Sequence, residues 1–271
     1  MPFLHIDEIN ARSVLVAQNP PGEPITEYTL NPYSGCGMGC SYCYVMKFPF
    51  AYEYPQIWGE WVQPKLNAPF LLGKARAKIY GRKIFMGSAT DPYQYIERKY
   101  RLSRKCLEVL ADCNLKGLTV HTRSHLILDD LDVLTSFGDR LRVGFSVPTD
   151  DDRVRKRTEP KAPKISVRLK TMKRLREAGI YVNASLAPVL YCHPRKFAAQ
   201  IAEAADGVYF GKMDYTDKTA IKTMPKARRY FNSSAYEDLV EELKEALIDV
   251  GMLKPEKKRD EKDTEILSEI V

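Results

Sequence analysis

Residues 31–44 read Asn31-Pro-Tyr-Ser-Gly-Cys-Gly-Met-Gly-Cys-Ser-Tyr-Cys-Tyr44, a glycine-rich stretch that contains three cysteines. Its cysteines, Cys36, Cys40 and Cys43, have a CxxxCxxC spacing and supply three thiolates where most metal sites take four ligands. Three thiolates can ligate three irons of a 4Fe-4S cluster and leave the fourth iron open to a small molecule. The interspersed glycines suit a short loop around a cluster, because such a loop needs backbone conformations that side chains resist. The spacing therefore predicts an open 4Fe-4S cluster.

A structural zinc site and a disulfide are the two alternatives. Structural zinc usually has four ligands in paired spacing, and no second pair follows this motif. A disulfide is typical of secreted proteins, but the chain opens without a charged region, an apolar region or a cleavage site, so we expect a cytoplasmic location. The side chains that could add a fourth zinc ligand stand at no zinc-finger-like distance: His5, His121, His125, Cys192 and His193.

Length and composition indicate one enzyme-sized α/β domain. The 271 residues are 44% apolar, and a barrel of about 250 residues would use nearly all of them. No apolar run approaches the roughly 20 residues that cross a bilayer, so we expect no membrane partner. Three parts are predicted: an N-terminal arm at 1–27, a barrel at 28–212, and a C-terminal basic segment, helix and charged tail at 213–271.

Short apolar runs alternate with helical periodicity along the chain, which is typical of parallel βαβ units. Six strands are predicted, near Glu27–Leu30 and at Lys83–Met86, Gly117–His121, Leu141–Val147, Tyr181–Leu186 and Gly207–Phe210. Helices are predicted at Tyr100–Cys113, Leu126–Phe137, Pro163–Ala178, Pro194–Ala205 and Glu237–Val250. Gly179 is predicted to cap the third of these helices.

Polar residues follow these strands at their carboxyl ends, where ligands collect in parallel α/β folds. They are Ser88, Thr90 and Asp91, then Thr122 and Arg123, then Ser146 and Thr149, with Ala187-Pro188 after the fifth strand. Each residue also has a purely structural interpretation, since Asp91-Pro92 is typical of a turn and Ser146 of an ordinary strand residue. Their recurrence at successive strand ends favours one shared site.

The cysteine motif and its neighbours resemble those of the radical S-adenosylmethionine (SAM) superfamily, most closely its spore photoproduct lyase-like branch. The resemblance continues through further motifs: Gly87-Ser-Ala-Thr-Asp-Pro-Tyr-Gln94, Thr119-Val-His-Thr-Arg-Ser124, Val143-Gly-Phe-Ser-Val-Pro-Thr149, Arg157-Thr-Glu-Pro160 and Ala184-Ser-Leu-Ala-Pro188. It covers about residues 28–212 and implies a partial (β/α)6 TIM-like barrel of the radical SAM type.

The resemblance also implies the chemistry. Cys36, Cys40 and Cys43 would ligate the 4Fe-4S cluster, and SAM would complete the open iron. A reductase such as flavodoxin or ferredoxin would supply the electron that cleaves SAM reductively. The product would be a 5′-deoxyadenosyl radical that abstracts hydrogen from a substrate.

Further roles carry over onto matching positions of this sequence. The resemblance places Tyr42 near the adenine of SAM and Thr90 at its methionyl end, beside Ser88 and Asp91. Arg123 would bind the SAM carboxylate, and Ser146 would bind a ribose or carboxylate oxygen. Glu159 would bind the amino group or the ribose. Arg123 stands where the lyase has a lysine, so the carboxylate of SAM could be bound by two parallel hydrogen bonds from the guanidinium.

One departure concerns the last step of the lyase reaction. The lyase has a cysteine that is thought to return a hydrogen atom to the product radical, and here that position is Ser88. A serine O–H bond is too strong for that role, so Cys192 and Tyr44 are candidate catalytic residues, with Tyr42 and Tyr93 as further candidates. An inert buried thiol is the alternative for Cys192.

Charge gives the remaining clue to the substrate. The formal net charge is +7, and basic residues concentrate in segments 153–176 and 218–229. Basic clusters near aromatic residues suit phosphate contact and base stacking, which predicts a nucleic-acid partner. Alternatively, the first segment is the solvated face of a helix whose apolar stripe is Ile165, Leu169, Met172 and Leu175.

The aromatic residues of 44–67 favour a packed cap over a base-stacking platform. Three functions therefore remain: a radical SAM enzyme acting on a nucleic acid or nucleotide, one that modifies a peptide, protein or small metabolite, and a non-catalytic iron-sulfur or redox module. The third leaves the strand-end motifs unexplained.

Overall fold

The computed structural model describes residues 4–18, 26–213 and 216–254. The strands are β1 His5–Ile6, β2 Leu15–Ala17, β3 Tyr28–Leu30, β4 Tyr33–Gly35, β5 Trp61–Pro64, β6 Lys83–Met86, β7 Gly117–Thr122, β8 Leu141–Ser146, β9 Tyr181–Leu186 and β10 Gly207–Phe210. The helices are α1 Pro49–Tyr52, α2 Ala68–Lys74, α3 Arg76–Ile79, α4 Glu97–Tyr100, α5 Leu102–Ala111, α6 Leu131–Thr135, α7 Asp152–Thr158, α8 Ile165–Glu177, α9 Pro194–Ala204, α10 Pro225–Phe231 and α11 Ser234–Asp249.

The main sheet has seven strands in the order β10-β9-β8-β7-β6-β3-β2. The strands from β3 to β10 pair in parallel, and β2 alone runs antiparallel at the edge. These parallel strands are the six that the sequence predicts, and the α/β fold class with its partial barrel is confirmed. The barrel is open because β2 and β10 lie at opposite edges of the sheet. The predicted boundaries of the three parts of the chain stay a prediction.

Helix predictions succeed where no tertiary contact interrupts them. α8, α9 and α11 follow the predicted spans closely, and α11 packs against α9. Gly179 has a φ of 78° and its amide bonds the carbonyl of Arg176, as expected of a helix cap. The charged run after Lys254 lies outside the described residues.

Two predicted helices differ from the structure. The helix expected at Tyr100–Cys113 begins earlier and breaks at Arg101, which has a left-handed φ of 52°. Its guanidinium lies 2.7 Å from the fully buried carboxylate of Asp130, and this ion pair accompanies the break. The helix expected at Leu126–Phe137 is a 3-10 helix over His125–Asp130 followed by α6. Among the described helices, none is long and apolar enough to cross a membrane.

The buried face of α8 differs from the predicted stripe. Ile165, Met172 and Leu175 are buried as expected, but Leu169 is only partly buried and Arg168 takes its place in the interior. An arginine is placed fully inside a protein only when its charge is paired. This helix therefore carries an interaction that its apolar pattern does not reveal.

A small sheet supports the cysteine loop. β5 lies between β1 and β4, and Trp61 of β5 is 1% exposed. A Cβ at Gly35 would stand 2.5 Å from the ring of Trp61, so only glycine fits there, at a φ of 75°. The predicted aromatic cap is thus correct for Trp61 and for Tyr54, whose ring stacks on it at 3.8 Å. It is wrong for Tyr52, which is 61% exposed, and for Tyr44, Phe48 and Phe50, which are 36–44% exposed.

Candidate functional site

The cysteine loop leaves the end of β4 and is buried under the ends of the parallel strands. Cys36 and Cys40 are buried, Cys43 is partly buried, and all three are free thiols. Gly39 has a φ of 61°, and its Cα would lie 2.6 Å from a Cβ at Gly59. The loop therefore takes its shape from close backbone contact that a side chain would block.

Residues after β6 hold this loop from one side. The hydroxyl of Thr90 donates to the carbonyl of Gly35 at 2.6 Å. Gln94 donates to the same hydroxyl at 2.9 Å and accepts the amide of Gly37 at 2.8 Å. Gln94 belongs to the motif that carries the family resemblance, but its role was not predicted from the sequence.

Asp91 joins the ends of β6 and β7. Its carboxylate accepts the hydroxyl of Thr122 at 2.6 Å, the amide of Arg123 at 3.0 Å and the amide of Tyr93 at 2.9 Å. Both oxygens are thus used within the protein. Asp91 orients Arg123, and its predicted contact with SAM stays a prediction.

Ser88 and Tyr44 meet at the edge of the site. The side-chain amide of Asn31 donates to the Ser88 hydroxyl at 3.0 Å, and the Tyr44 hydroxyl donates to the Ser88 carbonyl. Tyr44 is partly exposed. Its pKa is raised to about 12, mainly by burial and to a smaller extent by the nearby Cys43. Of the two candidate catalytic residues, Tyr44 therefore lies beside the cysteine loop.

Arg123 meets the loop from the end of β7. Its Nη1 lies 3.0 Å from Sγ of Cys40 and 2.8 Å from the hydroxyl of Tyr42, and it also contacts Oε1 of Glu159. Tyr42 in turn donates to the same carboxylate oxygen. The sequence predicts these four residues for one site, and the structure brings them together.

Glu159 is 0% exposed and both of its oxygens are bonded. Nη2 of Arg168, which is also 0% exposed, donates to Oε2 at 2.5 Å. Burial alone would raise the pKa of Glu159, but Arg168 and Arg123 outweigh it and hold that pKa below its usual range. The predicted contact of Glu159 with SAM stays a prediction, because the structure shows this carboxylate bonded to protein groups.

The residues fit a thiolate-bound cluster. Burial raises the pKa of all three thiols, to about 12 for Cys43, so the free thiols keep their protons, which iron would have to displace on binding. Cys36, Cys40 and Cys43 affect one another electrostatically, as near neighbours do. Among the described residues, no three His, Cys, Asp or Glu side chains converge around a point that would hold one metal ion.

Ser146 lies at the end of β8, and Cys192 lies in the loop between β9 and α9. Ser146 is buried at the end of β8, where its carbonyl accepts Nη1 of Arg168 at 3.2 Å. Cys192 is a buried core residue whose charged neighbours are Asp150 and Glu242, and burial raises its pKa to about 12. No hydrogen bond joins Cys192 to the cysteine loop within the described residues, and its catalytic role stays a prediction.

A family comparison matches this region. The model of the radical SAM superfamily matches residues 30–205, which include the cysteine loop and the ends of β6, β7, β8 and β9. An uncharacterised protein of Methanocaldococcus jannaschii is 33% identical over 172 residues, which are 64% of this chain and 64% of that protein.

Solved structures with the same fold have lower identity. A double mutant of spore photoproduct lyase with bound AdoMet and dinucleoside spore photoproduct has a TM-score of 0.62 at 17% identity, covering 82% of this chain and 66% of the lyase chain. Streptococcus suis SuiB, solved with S-adenosylmethionine, has a TM-score of 0.52 at 14% identity, covering 78% of this chain and 47% of SuiB. SuiB has also been solved with the precursor peptide SuiA. At these identities the likeness shows the fold alone.

Proposed function

The chain belongs to the radical SAM superfamily, and we propose that it is an enzyme that binds a 4Fe-4S cluster through Cys36, Cys40 and Cys43 and takes SAM as its second cofactor. The observation that carries this proposal is the glycine-shaped loop of three free thiols, two of them buried and one partly buried, with Arg123 against Cys40. When bound, this pair of cofactors supplies one-electron chemistry that generates an organic radical. A flavodoxin- or ferredoxin-like reductase would deliver the electron.

The protein's own groups would bind and shield this chemistry. Thr90 and Gln94 hold the loop, and Asp91 fixes the backbone of Arg123. The guanidinium of Arg123 faces the loop and offers charged N–H donors for a carboxylate, which is the role the family resemblance gives it. The burial of Cys36 and Cys40 keeps water from the site.

The experiment for this proposal is anaerobic reconstitution with iron and sulfide, then reduction with SAM and chromatography for 5′-deoxyadenosine. We expect this nucleoside from the wild-type protein and none from a variant with alanine at Cys36, Cys40 and Cys43. An assembled cluster that never yields 5′-deoxyadenosine, with or without candidate substrates, would contradict the proposal.

Arg123→Met should weaken SAM binding. A hydrogen bond to a charged group contributes about 1.5–3 kcal/mol, so we expect the dissociation constant to rise roughly 10- to 100-fold. Equilibrium binding of labelled SAM to the reconstituted protein measures this change. Arg176→Met, which removes an exposed ion pair with Asp206, is the control and should bind SAM normally. Equal affinity of the Arg123 variant and the wild type would contradict the role.

We further propose that the substrate is a nucleic acid or nucleotide. Of the two predicted basic segments, 153–176 has most of its cations buried or paired: Arg155 and Arg168 are buried, and Arg153, Lys173, Arg174 and Arg176 pair with acidic residues. Around α10, the exposed side chains Lys222, Lys226 and Arg229 have no ion-pair partner among the described residues. The support for phosphate contact therefore comes mainly from this second segment.

Exposed aromatic residues give the second support. Tyr44, Phe48 and Phe50, here called the aromatic platform, follow Cys43 directly and are 36–44% exposed. Phe48 and Phe50 stack at 6.1 Å, and the ammonium of Lys47 lies 5.7 Å from the ring centres of Tyr44 and Phe48. Exposed rings beside a cation suit the stacking of unpaired bases.

Replacing Lys222, Lys226 and Arg229 together with alanine should weaken binding of single-stranded DNA and RNA. If each cation contacts one phosphate, the slope of log affinity against log salt should flatten by about 2, at about 0.7 per contact. Fluorescence anisotropy with a labelled oligonucleotide at several salt concentrations measures both changes. The matched control is the triple alanine variant of Lys173, Arg174 and Arg176, whose charges are already paired. An unchanged salt slope in the first variant would contradict the proposed contact.

A peptide or protein substrate is the alternative. It is supported by the similarity to SuiB, which binds a precursor peptide, and by Ser88 at the position of the lyase cysteine. Oligonucleotide affinity that does not depend on salt, together with peptide-stimulated formation of 5′-deoxyadenosine, would favour it.

A further inference from the structure

Arg168 lies on the inner face of the first turns of α8, outside the motifs that carry the family resemblance. It is 0% exposed, and its guanidinium makes three separate hydrogen bonds. Nε donates to the carbonyl of Pro163 at 3.0 Å, Nη1 to the carbonyl of Ser146 at 3.2 Å and Nη2 to Glu159 at 2.5 Å. This side chain therefore joins the end of β8, the start of α8 and the site carboxylate.

The carboxylate of Glu159 links Arg168 to Tyr42 and Arg123. One oxygen is held by Arg168, and the other accepts from both Tyr42 and Arg123. Tyr42 and Arg123 are also bonded to each other, at 2.8 Å from hydroxyl oxygen to Nη1. Because Arg123 then reaches Cys40 at 3.0 Å, a continuous chain of charged hydrogen bonds leads from Arg168 to the thiol.

We infer that Arg168 is a positioning residue: through Glu159 it fixes Tyr42 and the guanidinium of Arg123 against Cys40, and it thereby raises the reduction potential of the bound cluster. This inference rests on the proposed function, because it assigns Cys40 as a cluster ligand. Donors to a ligating sulfur favour the reduced, more negative cluster. Arginine suits this position because its planar fork can make three directed bonds, whereas a lysine offers a point charge.

Replacement of Arg168 has a predictable direction. Without it, the buried carboxylate of Glu159 keeps only Tyr42 and Arg123 as partners and draws the guanidinium away from Cys40. One positive charge also leaves the surroundings of the loop. Both effects disfavour an added electron on the cluster, so the reduced fraction should fall.

The test measures the full chain before and after reconstitution. In the apoprotein, the side-chain Nη1–H signal of Arg123, assigned with Arg123→Lys, should be protected from solvent exchange in the wild type and lose that protection in Arg168→Met. After reconstitution, a redox titration followed by electron paramagnetic resonance should give about tenfold less reduced relative to oxidised cluster at a fixed potential. For a one-electron couple this is about 59 mV.

Charge and positioning are separated by a second variant. Arg168→Met combined with Glu159→Gln restores the net charge of the pair but not the anchor, so we expect neither the protection of Arg123 nor the potential to recover. Full recovery of the potential would overturn the positioning role, because charge alone would then explain the loss. If Arg168→Met does not fold by circular dichroism, Arg168→Lys is measured instead and should lose part of both signals.

The control is Arg176→Met on the same helix, which removes an exposed ion pair and should change neither readout. A folded Arg168 variant with wild-type protection of Arg123 and a wild-type potential would overturn the inference. Failure of the wild-type chain to assemble a cluster would instead contradict the proposed function, and the Arg123 signal of the apoprotein would still decide whether Arg168 positions it.

Discussion

Cys40→Ala should abolish both cluster assembly and formation of 5′-deoxyadenosine while leaving the barrel folded. Three thiolates are the minimum for a cluster with one open iron, so the loss of one leaves two irons without a protein ligand. The fold should persist because Cys40 is one residue of a large hydrophobic cluster and makes no covalent cross-link in it. Iron content and visible absorbance measure assembly, and circular dichroism measures the fold.

The matched control is Cys106→Ala. Cys106 is fully buried on α5 and is also a free thiol, so its replacement leaves a small cavity without removing a cluster ligand. This variant should assemble a cluster at the wild-type iron content. A cluster that persists in the Cys40 variant, or is lost equally in both, would contradict the assignment of Cys40.

Gly59→Ala should have the second-largest effect, although Gly59 lies outside the cysteine motif. An added Cβ would stand 2.6 Å from the Cα of Gly39, next to Cys40, and the φ of 96° already disfavours alanine. Overpacking of this kind costs about 1–3 kcal/mol, and here the atom that must move belongs to the backbone of the loop. We expect a sharp loss of iron incorporation together with a lower melting temperature.

Gly73→Ala is the matched control for this substitution. Gly73 lies within α2, and a Cβ there meets nothing within 4 Å. Alanine in a helix is more stable than glycine by about 0.5–1 kcal/mol, so this variant should melt higher and assemble a normal cluster. Normal iron incorporation in the Gly59 variant would show that the loop does not need this close backbone contact.

Local sequence patterns predict the parts of the fold that local forces determine. β6, β9 and β10 begin and end at the predicted residues because their apolar runs are bounded by polar or turn residues. The break at Arg101 escapes prediction, since it accompanies a contact with Asp130, which lies 29 residues away in the chain. Tertiary contacts of this kind override helix propensity.

The candidate site likewise has residues that local sequence patterns predict and one, Arg168, that they do not. The cysteine spacing and the polar strand ends can be read directly from the sequence, and the structure places Tyr42, Arg123 and Glu159 together. Arg168 was missed because the many cations of α8 indicate a solvated face. Its position three residues after Ile165 and four before Met172 places it on the buried stripe, and that signal could have identified it.

The most direct test of the central claim is electron paramagnetic resonance of the reduced, reconstituted protein before and after addition of SAM. If three cysteines hold the cluster and leave one iron open, the signal of the wild-type protein should change when SAM binds. The Arg168→Met and Gly73→Ala variants should still show a change. A reduced 4Fe-4S signal that saturating SAM leaves unaltered would contradict an open iron and, with it, the proposed radical SAM chemistry.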